Sequence, residues 1–386
     1  MNLFDNKGVP LERQCLTWKD MVGNPISKLD DDAFTRVRVI LMNGLELDAL
    51  RLSHIGARFN GELRLPLAQI RRIEQHQATA VNWLMSADHS PLETTIAYEQ
   101  VAIEVTAAVA QREPDPYLAQ VYRFGLLEDF DHLYRYSALL DRLEGKDANN
   151  ILQGYTDIVP GRPTAEEHRA PQDDLRRDHG HNAALISRLH ANMITAAEYQ
   201  THDYYMNIGP TFADPVARQL YGEIASVEEQ HVTQYGSLID PDQSFLELWL
   251  LHEAAEVYGY YSCLSSETNP RIKALWERFC DYELGHLHFV ADLIRRHEGR
   301  DPAEILGEGL PAPVEFRSQR EFVRDVLADE VNLRANGSDF VVRDAESPAS
   351  IEYRQRVNAD GSPSTQVATS YHWTSGTELN RPVVRV

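Results

Sequence analysis

Glu228-Glu229-Gln230-His231 and Glu283-Leu284-Gly285-His286 decide how residues 182–299 fold. Each is a Glu-x-x-His, and each is preceded, thirty residues earlier, by another Glu: Glu198 before Glu228, and Glu253 before Glu283. A lone Glu-x-x-His arises easily by chance, whereas a repeated offset does not. From Glu198 the helical pattern runs to Gly209-Pro210, which with Asp214-Pro215 marks a turn between helices. At 1.5 Å per residue, Glu198 and Glu228 each lie roughly 18–21 Å from that turn, and so stand level across a hairpin. Asn269-Pro270 falls midway between Glu253 and Glu283 in the same way. In a helix, Glu at i and His at i+3 share a face. Each hairpin therefore offers one carboxylate from its first helix and a carboxylate plus an imidazole from its second.

The apolar stripes run through the same positions. Ile224, Val227, Glu228, His231 and Tyr235 fall at i, i+3, i+4, i+7 and i+11, and Phe279, Tyr282, Glu283, His286 and Val290 repeat those offsets. Carboxylates inside an apolar stripe are costly to bury unless they are paired or bind a metal.

Two such hairpins resemble the ferritin-like di-iron or di-manganese carboxylate proteins, in which one Glu from each of two helices joins a Glu-x-x-His from each of the other two. The resemblance covers roughly residues 185–298. It implies that Glu198 and Glu253 are terminal ligands, Glu228 and Glu283 bridging carboxylates, and His231 and His286 the imidazole ligands. Within the superfamily the sequence is most similar to the rubrerythrin-like branch, because Glu256 adds a carboxylate one turn after Glu253. Tyr205 and Tyr260 each follow a first-helix Glu by seven residues on the ligand face, and are expected as the catalytic tyrosines. His202, four residues after Glu198, is a lesser candidate without a motif match.

Outside this stretch, residues 91–143 repeat the hairpin plan. Glu99 precedes Asp129 by thirty residues, Asp129-x-x-His132 has the three-residue spacing, and Glu113-Pro114-Asp115-Pro116 forms the turn. This third copy reads as a decayed structural repeat, or alternatively as a supplier of ligands of its own. Residues 1–90 read as a helical region, with helices from about Asp31 to Arg58 and Pro66 to Met85. Its Glu46, His54, Glu74 and His76 do not match the metal spacing and read as packing. Residues 144–181 form a long polar connection, read as a cover or surface excursion. The two metal-pattern hairpins are joined only by residues 237–244, a short link for a bundle that needs a crossing connection. From residue 300 onward a mostly irregular C-terminal arm is expected. It has a short helix near Arg317–Leu327 and strand-like runs at 340–343, 351–354, 369–373 and 381–386.

The expected fold is therefore all-α: a ferritin-like four-helix bundle at 182–299 with additional N-terminal helical hairpins. The 386 residues carry a formal charge of −22, which opposes general affinity for nucleic acid or anionic membrane. Cys15, Cys263 and Cys280 contain no Cys-x-x-Cys pair, which excludes a rubredoxin-type iron site. No run of eighteen apolar residues and no secretory signal is present, so a cytoplasmic protein is expected. Carboxylate and imidazole donors suit iron or manganese. The resemblance implies two iron ions, or two manganese ions, and an oxidoreductase that acts on peroxide or dioxygen with an unidentified electron donor, as a homo-oligomer. Other readings are a manganese-catalase-like enzyme, a di-iron enzyme that oxygenates a small-molecule substrate, and a helical scaffold that binds a partner.

Overall fold

The computed structural model describes residues 1–307, 309–369 and 371. Along the chain the helices are α1 (Trp18–Met21), α2 (Ala33–Phe59), α3 (Arg64–Asn82), α4 (Pro91–Arg112), α5 (Pro116–Glu144), α6 (Asn149–Leu152) and α7 (Leu185–Ile208). They continue as α8 (Pro215–Gly236), α9 (Phe245–Ser266), α10 (Pro270–His297), α11 (Pro302–Leu306), α12 (Arg320–Glu330), α13 (Pro348–Val357) and α14 (Pro363–Ala368). One antiparallel pair, β1 (Leu333–Asn336) and β2 (Asp339–Val342), places Leu333 opposite Val342 and Asn336 opposite Asp339. Gly337 turns it with φ +59°, a conformation only glycine adopts freely. The protein is thus overwhelmingly helical. Among the described residues no helix is long and apolar enough to cross a membrane.

The turn chemistry read from the sequence sets the helix starts. Proline stands at the first position of α4, α5, α8 and α10, where its missing N–H costs nothing. The residue before each proline caps the helix: Asp115 accepts from the N–H groups of Tyr117 and Leu118, Asp214 from Ala217, and Asn269 from Arg271 and Ile272. Ser90 forms a full capping box with Glu93, and so does Ser244 with Glu247.

The chain divides into two compact units. Unit 1 comprises residues 1–87, 178–200 and 239–316, and unit 2 comprises 88–177, 201–238 and 317–386. The boundary at 200–201 falls inside the unbroken helix α7. In unit 1 the hairpin α2–α3 and the hairpin α9–α10 pack together through α2 and α9. An N-terminal strap lies along α10, where Val9 N–H donates to Asp281 O at 2.8 Å. In unit 2 the hairpin α4–α5 packs with α8, and the tyrosines at the end of α7 pack against Tyr98 and Tyr136.

This division differs from the expected single bundle at 182–299. In unit 1 hairpin α9–α10 packs against α2 of the hairpin α2–α3, and Tyr258 of α9 also meets His190 of α7. The N-terminal helices belong to unit 1, and the hairpin at 91–143 belongs to unit 2. The C-terminal region is more regular than expected. Its short helix and first strand form near the expected places, but 351–354 lies inside α13, which begins at Pro348. Four alternating residues are too few to outweigh that helix start. Of the run at 369–373, Thr369 follows α14 as a turn and Tyr371 is outside any strand. The remainder of that run, and 381–386, lie outside the described residues.

Candidate metal centres

Each unit buries a cluster of carboxylates and imidazoles in which no side chain is more than 1% exposed. In unit 1 the cluster takes Glu46 from α2, Glu74 from α3, Glu253 and Glu256 from α9, and Glu283 and His286 from α10. Their ligand atoms fall into two groups within 4.8 Å: Glu74, Glu253, Glu283 and His286, and Glu46, Glu74, Glu256 and Glu283. Glu74 and Glu283 belong to both groups.

The orientation of His286 can be worked out from its neighbours. The amide nitrogen of Gln14 donates to Val9 O at 2.7 Å and Tyr282 O at 3.0 Å, so its oxygen faces His286 Nε2 at 2.7 Å. An amide oxygen only accepts, so His286 carries a proton on Nε2 and turns Nδ1 inward. Nδ1 lies 2.7 Å from Glu74 Oε1, 2.9 Å from Glu283 Oε2 and 3.7 Å from Glu253 Oε2. Around it, Trp249 Nε1 donates to Glu253 Oε1 at 2.6 Å, the Tyr260 hydroxyl donates to Glu46, and Gln77 donates to Glu283 and, at 3.3 Å, to Glu46. Both oxygens of Glu256, together with Glu46 Oε2 and Glu74 Oε2, have no hydrogen-bond partner.

Such an arrangement is electrostatically unbalanced. Burial, and then the neighbouring carboxylates, push Glu46, Glu74, Glu253 and Glu256 well above the usual carboxylate range. Burial pushes the His286 imidazole down, but Glu283, Glu253 and Glu46 together raise it above its ordinary value. An unpaired buried ion costs several kcal/mol. Five carboxylates around one imidazole are a donor set that fits divalent cations.

In unit 2 the cluster takes Glu99 from α4, Asp129 and His132 from α5, and Glu228 and His231 from α8. Glu228 joins both imidazoles: its Oε1 lies 3.1 Å from His132 Nδ1, and its Oε2 lies 3.4 Å from His231 Nδ1. Asp129 Oδ1 also lies 3.4 Å from His231 Nδ1. The outward nitrogens meet carboxylates at 2.8 Å, His132 Nε2 on Glu167 and His231 Nε2 on Glu128. Glu128 in turn receives Arg162 at 3.0 Å, and Arg169 as well. Glu167, Arg162 and Arg169 all come from the long connection after α5. Gly161 lets that connection lie against α5, since a Cβ there would come within 1.9 Å of Leu127 O. Gly285 plays the same part for the strap in unit 1, where a Cβ would come within 1.9 Å of Val9 O.

Charges in this cluster are better offset. Burial would raise Glu228, but hydrogen bonds and charge from His132 and His231 hold it far below its usual value. Glu128, against burial, is held low by Arg169, His231 and Arg162. Asp129 is pushed up to about 7, chiefly by burial, and neither of its oxygens has a hydrogen-bond partner. Glu99 is raised by burial, then by Glu228 and Asp129, and accepts the Tyr205 hydroxyl.

The site residues read from the sequence are therefore all buried, but they divide between two centres. Glu253, Glu256, Glu283 and His286 come together with Glu46 and Glu74, which sequence reasoning had assigned to packing. Glu228 and His231 come together with Glu99, Asp129 and His132. Glu198 is buried on α7, in the part of that helix belonging to unit 1, two turns before Tyr205. The Tyr205 hydroxyl donates to Glu99, and the Tyr260 hydroxyl donates to Glu46. His202 instead faces its neighbour Asp203 at 3.1 Å. Glu74 was missed because its partner at i+3 is Gln77, and because Glu46 precedes it by 28 residues rather than thirty. Gln14, Glu128, Glu167 and the two arginines carried no motif.

Three surface clefts, of about 870, 700 and 440 Å³, are lined by none of the cluster residues. No family model, curated protein or solved structure matches the chain.

Proposed function

We propose that the chain is a metal-dependent oxidoreductase of ferritin-like type, holding a carboxylate-bridged pair of iron ions in each unit and reducing peroxide or dioxygen. The observation that carries this reading is the convergence, in each unit, of buried carboxylate oxygens without hydrogen-bond partners and imidazole Nδ1 atoms fixed inward from behind. Glu253 and His286 would serve one position of unit 1, Glu46 and Glu256 the other, and Glu74 and Glu283 both. In unit 2, Glu99 and His132 would serve one position, Asp129 and His231 the other, and Glu228 both.

Two iron(II) ions held there would supply the two electrons that peroxide reduction requires, each becoming iron(III), and an external electron donor would restore them. The protein's own groups hold the geometry. Gln14, Glu128 and Glu167 fix the imidazole tautomers, and Tyr205 and Tyr260, their phenols raised far above the ordinary value first by burial, stay protonated and donate to Glu99 and Glu46. Complete burial of the clusters favours small oxidants over a bulky substrate to be oxygenated.

Metal analysis of the full chain tests the proposal. About four iron or manganese ions per chain are expected, two for each centre of this type. Glu283→Ala should lose the pair of unit 1, Glu228→Ala the pair of unit 2, and the double variant all of them. Absence of bound metal after anaerobic loading with iron or manganese, in wild-type protein that is folded by circular dichroism, would overturn it.

A further inference from the structure

The two positions in unit 1 are chemically unlike. One is bounded by Glu253, Glu74, Glu283 and the imidazole of His286. The other is bounded by Glu46, Glu256, Glu74 and Glu283, with no imidazole within 4.8 Å of all four; His252 Nε2 lies outside that group, 3.8 Å from Glu256 Oε2. The residue that would supply one is Gln77. It stands three residues after Glu74, as His286 stands after Glu283, His231 after Glu228 and His132 after Asp129. Gln77 turns its amide onto Glu46 and Glu283 instead. The lost nitrogen donor is matched by an added oxygen donor. Glu256 stands three residues after Glu253, whereas Thr201 stands three residues after Glu198. Glu256 is fully buried, neither of its oxygens has a hydrogen-bond partner, and its titratable neighbour outside the cluster, His252, stands off at 3.8 Å.

Imidazole nitrogen suits iron, while sites built only from carboxylate and carbonyl oxygen suit harder cations such as manganese. Iron(II) outranks manganese(II) at mixed nitrogen and oxygen sites, and removing the nitrogen narrows that advantage. We propose that unit 1 holds a mixed-metal centre, with manganese at the Glu46–Glu256 position and iron at the Glu253–His286 position. The proposal rests on the reading of each cluster as a dinuclear centre and names the metals of one of them. Unit 2 supplies an internal contrast, because each of its positions has an imidazole and should take iron.

The test is anaerobic loading of the metal-free full chain with iron(II) and manganese(II) at equal concentration, followed by anomalous diffraction at both metal edges. The manganese-to-iron ratio at the Glu46–Glu256 position should exceed, severalfold, that at the Glu253–His286 position and at both positions of unit 2. Gln77→His, loaded in the same mixture and read by elemental analysis, should lower the manganese content of the chain toward zero while total metal is kept. Equal ratios at all four positions would overturn the mixed-metal proposal and leave the dinuclear reading standing. Metal at none of them would overturn both. If Gln77→His does not fold, the ratios within the wild-type protein still decide.

Discussion

His286 in unit 1 rests on a neutral amide, whereas His132 and His231 in unit 2 rest on carboxylates. The inner sets differ in the opposite sense, since unit 1 gathers five carboxylates around one imidazole and unit 2 places two imidazoles around Glu228. Negative charge is thus concentrated inside unit 1, while in unit 2 part of it is moved one layer outward and neutralised there by Arg162 and Arg169. The same task of fixing an imidazole is solved with different charge distributions, and the two units should fail differently when disturbed.

The largest difference should come from the outer partners. Glu128→Ala leaves Arg162 and Arg169 buried without their shared carboxylate and should destabilise unit 2 by about 3–5 kcal/mol in denaturant unfolding. Gln14→Ala leaves no buried charge behind; its stability cost should be nearer 1 kcal/mol. It should instead weaken metal binding in unit 1 by about 10–100-fold, measured by competitive chelation. Equal stability losses would break the comparison.

Acidity should separate the units next. Glu46, Glu74, Glu253 and Glu256 have folded pKa values raised above the ordinary one by burial and mutual repulsion. Their contribution to stability is full below the ordinary carboxylate value and is lost as pH rises through the folded values. Glu128 and Glu228 are depressed and stabilise unit 2 above that value, while Glu99, Asp129 and Glu167 are raised by burial and act there in the same sense as the unit 1 carboxylates. In metal-free protein, hydrogen exchange should therefore show both units losing protection as pH rises from about 5 to about 8, but only unit 2 losing it again below the ordinary carboxylate value, and bound metal should flatten the loss at high pH.

A smaller effect is expected at the glycine approaches. Gly285→Ala and Gly161→Ala press a Cβ onto backbone carbonyls, and each should cost about 1–3 kcal/mol. Gly125→Ala meets the end of the Tyr235 side chain, which can move, and should cost less. Smallest of all, Tyr260→Phe and Tyr205→Phe should each cost about 1 kcal/mol with metal content unchanged. Loss of metal from either would show that the hydroxyl does more than steady its carboxylate.

The sequence made the hairpins readable because the features that define them are local. Turn prolines, caps and the thirty-residue offset placed α7 to α10, and the third copy placed α4 and α5. Which hairpin meets which was not readable, because α9–α10 presents the same kind of face to any partner. Gln77 concealed the fourth hairpin by breaking the motif at one position. The outer partners escaped for a different reason: Gln14, Glu167 and the arginines lie on irregular segments, where no periodicity ties a residue to a face.

The interleaved order of the units has a consequence for how the protein is made. Residues 88–238 separate the two hairpins of unit 1 along the chain. At translation rates of about 5–20 residues per second, α2 and α3 leave the ribosome roughly 8–30 s before α9 begins to emerge. Throughout that interval Glu46 and Glu74 lack Glu253, Glu256, Glu283 and His286, the side chains that finally surround them. The cluster of unit 1 can therefore close only after α10 has emerged, late in synthesis.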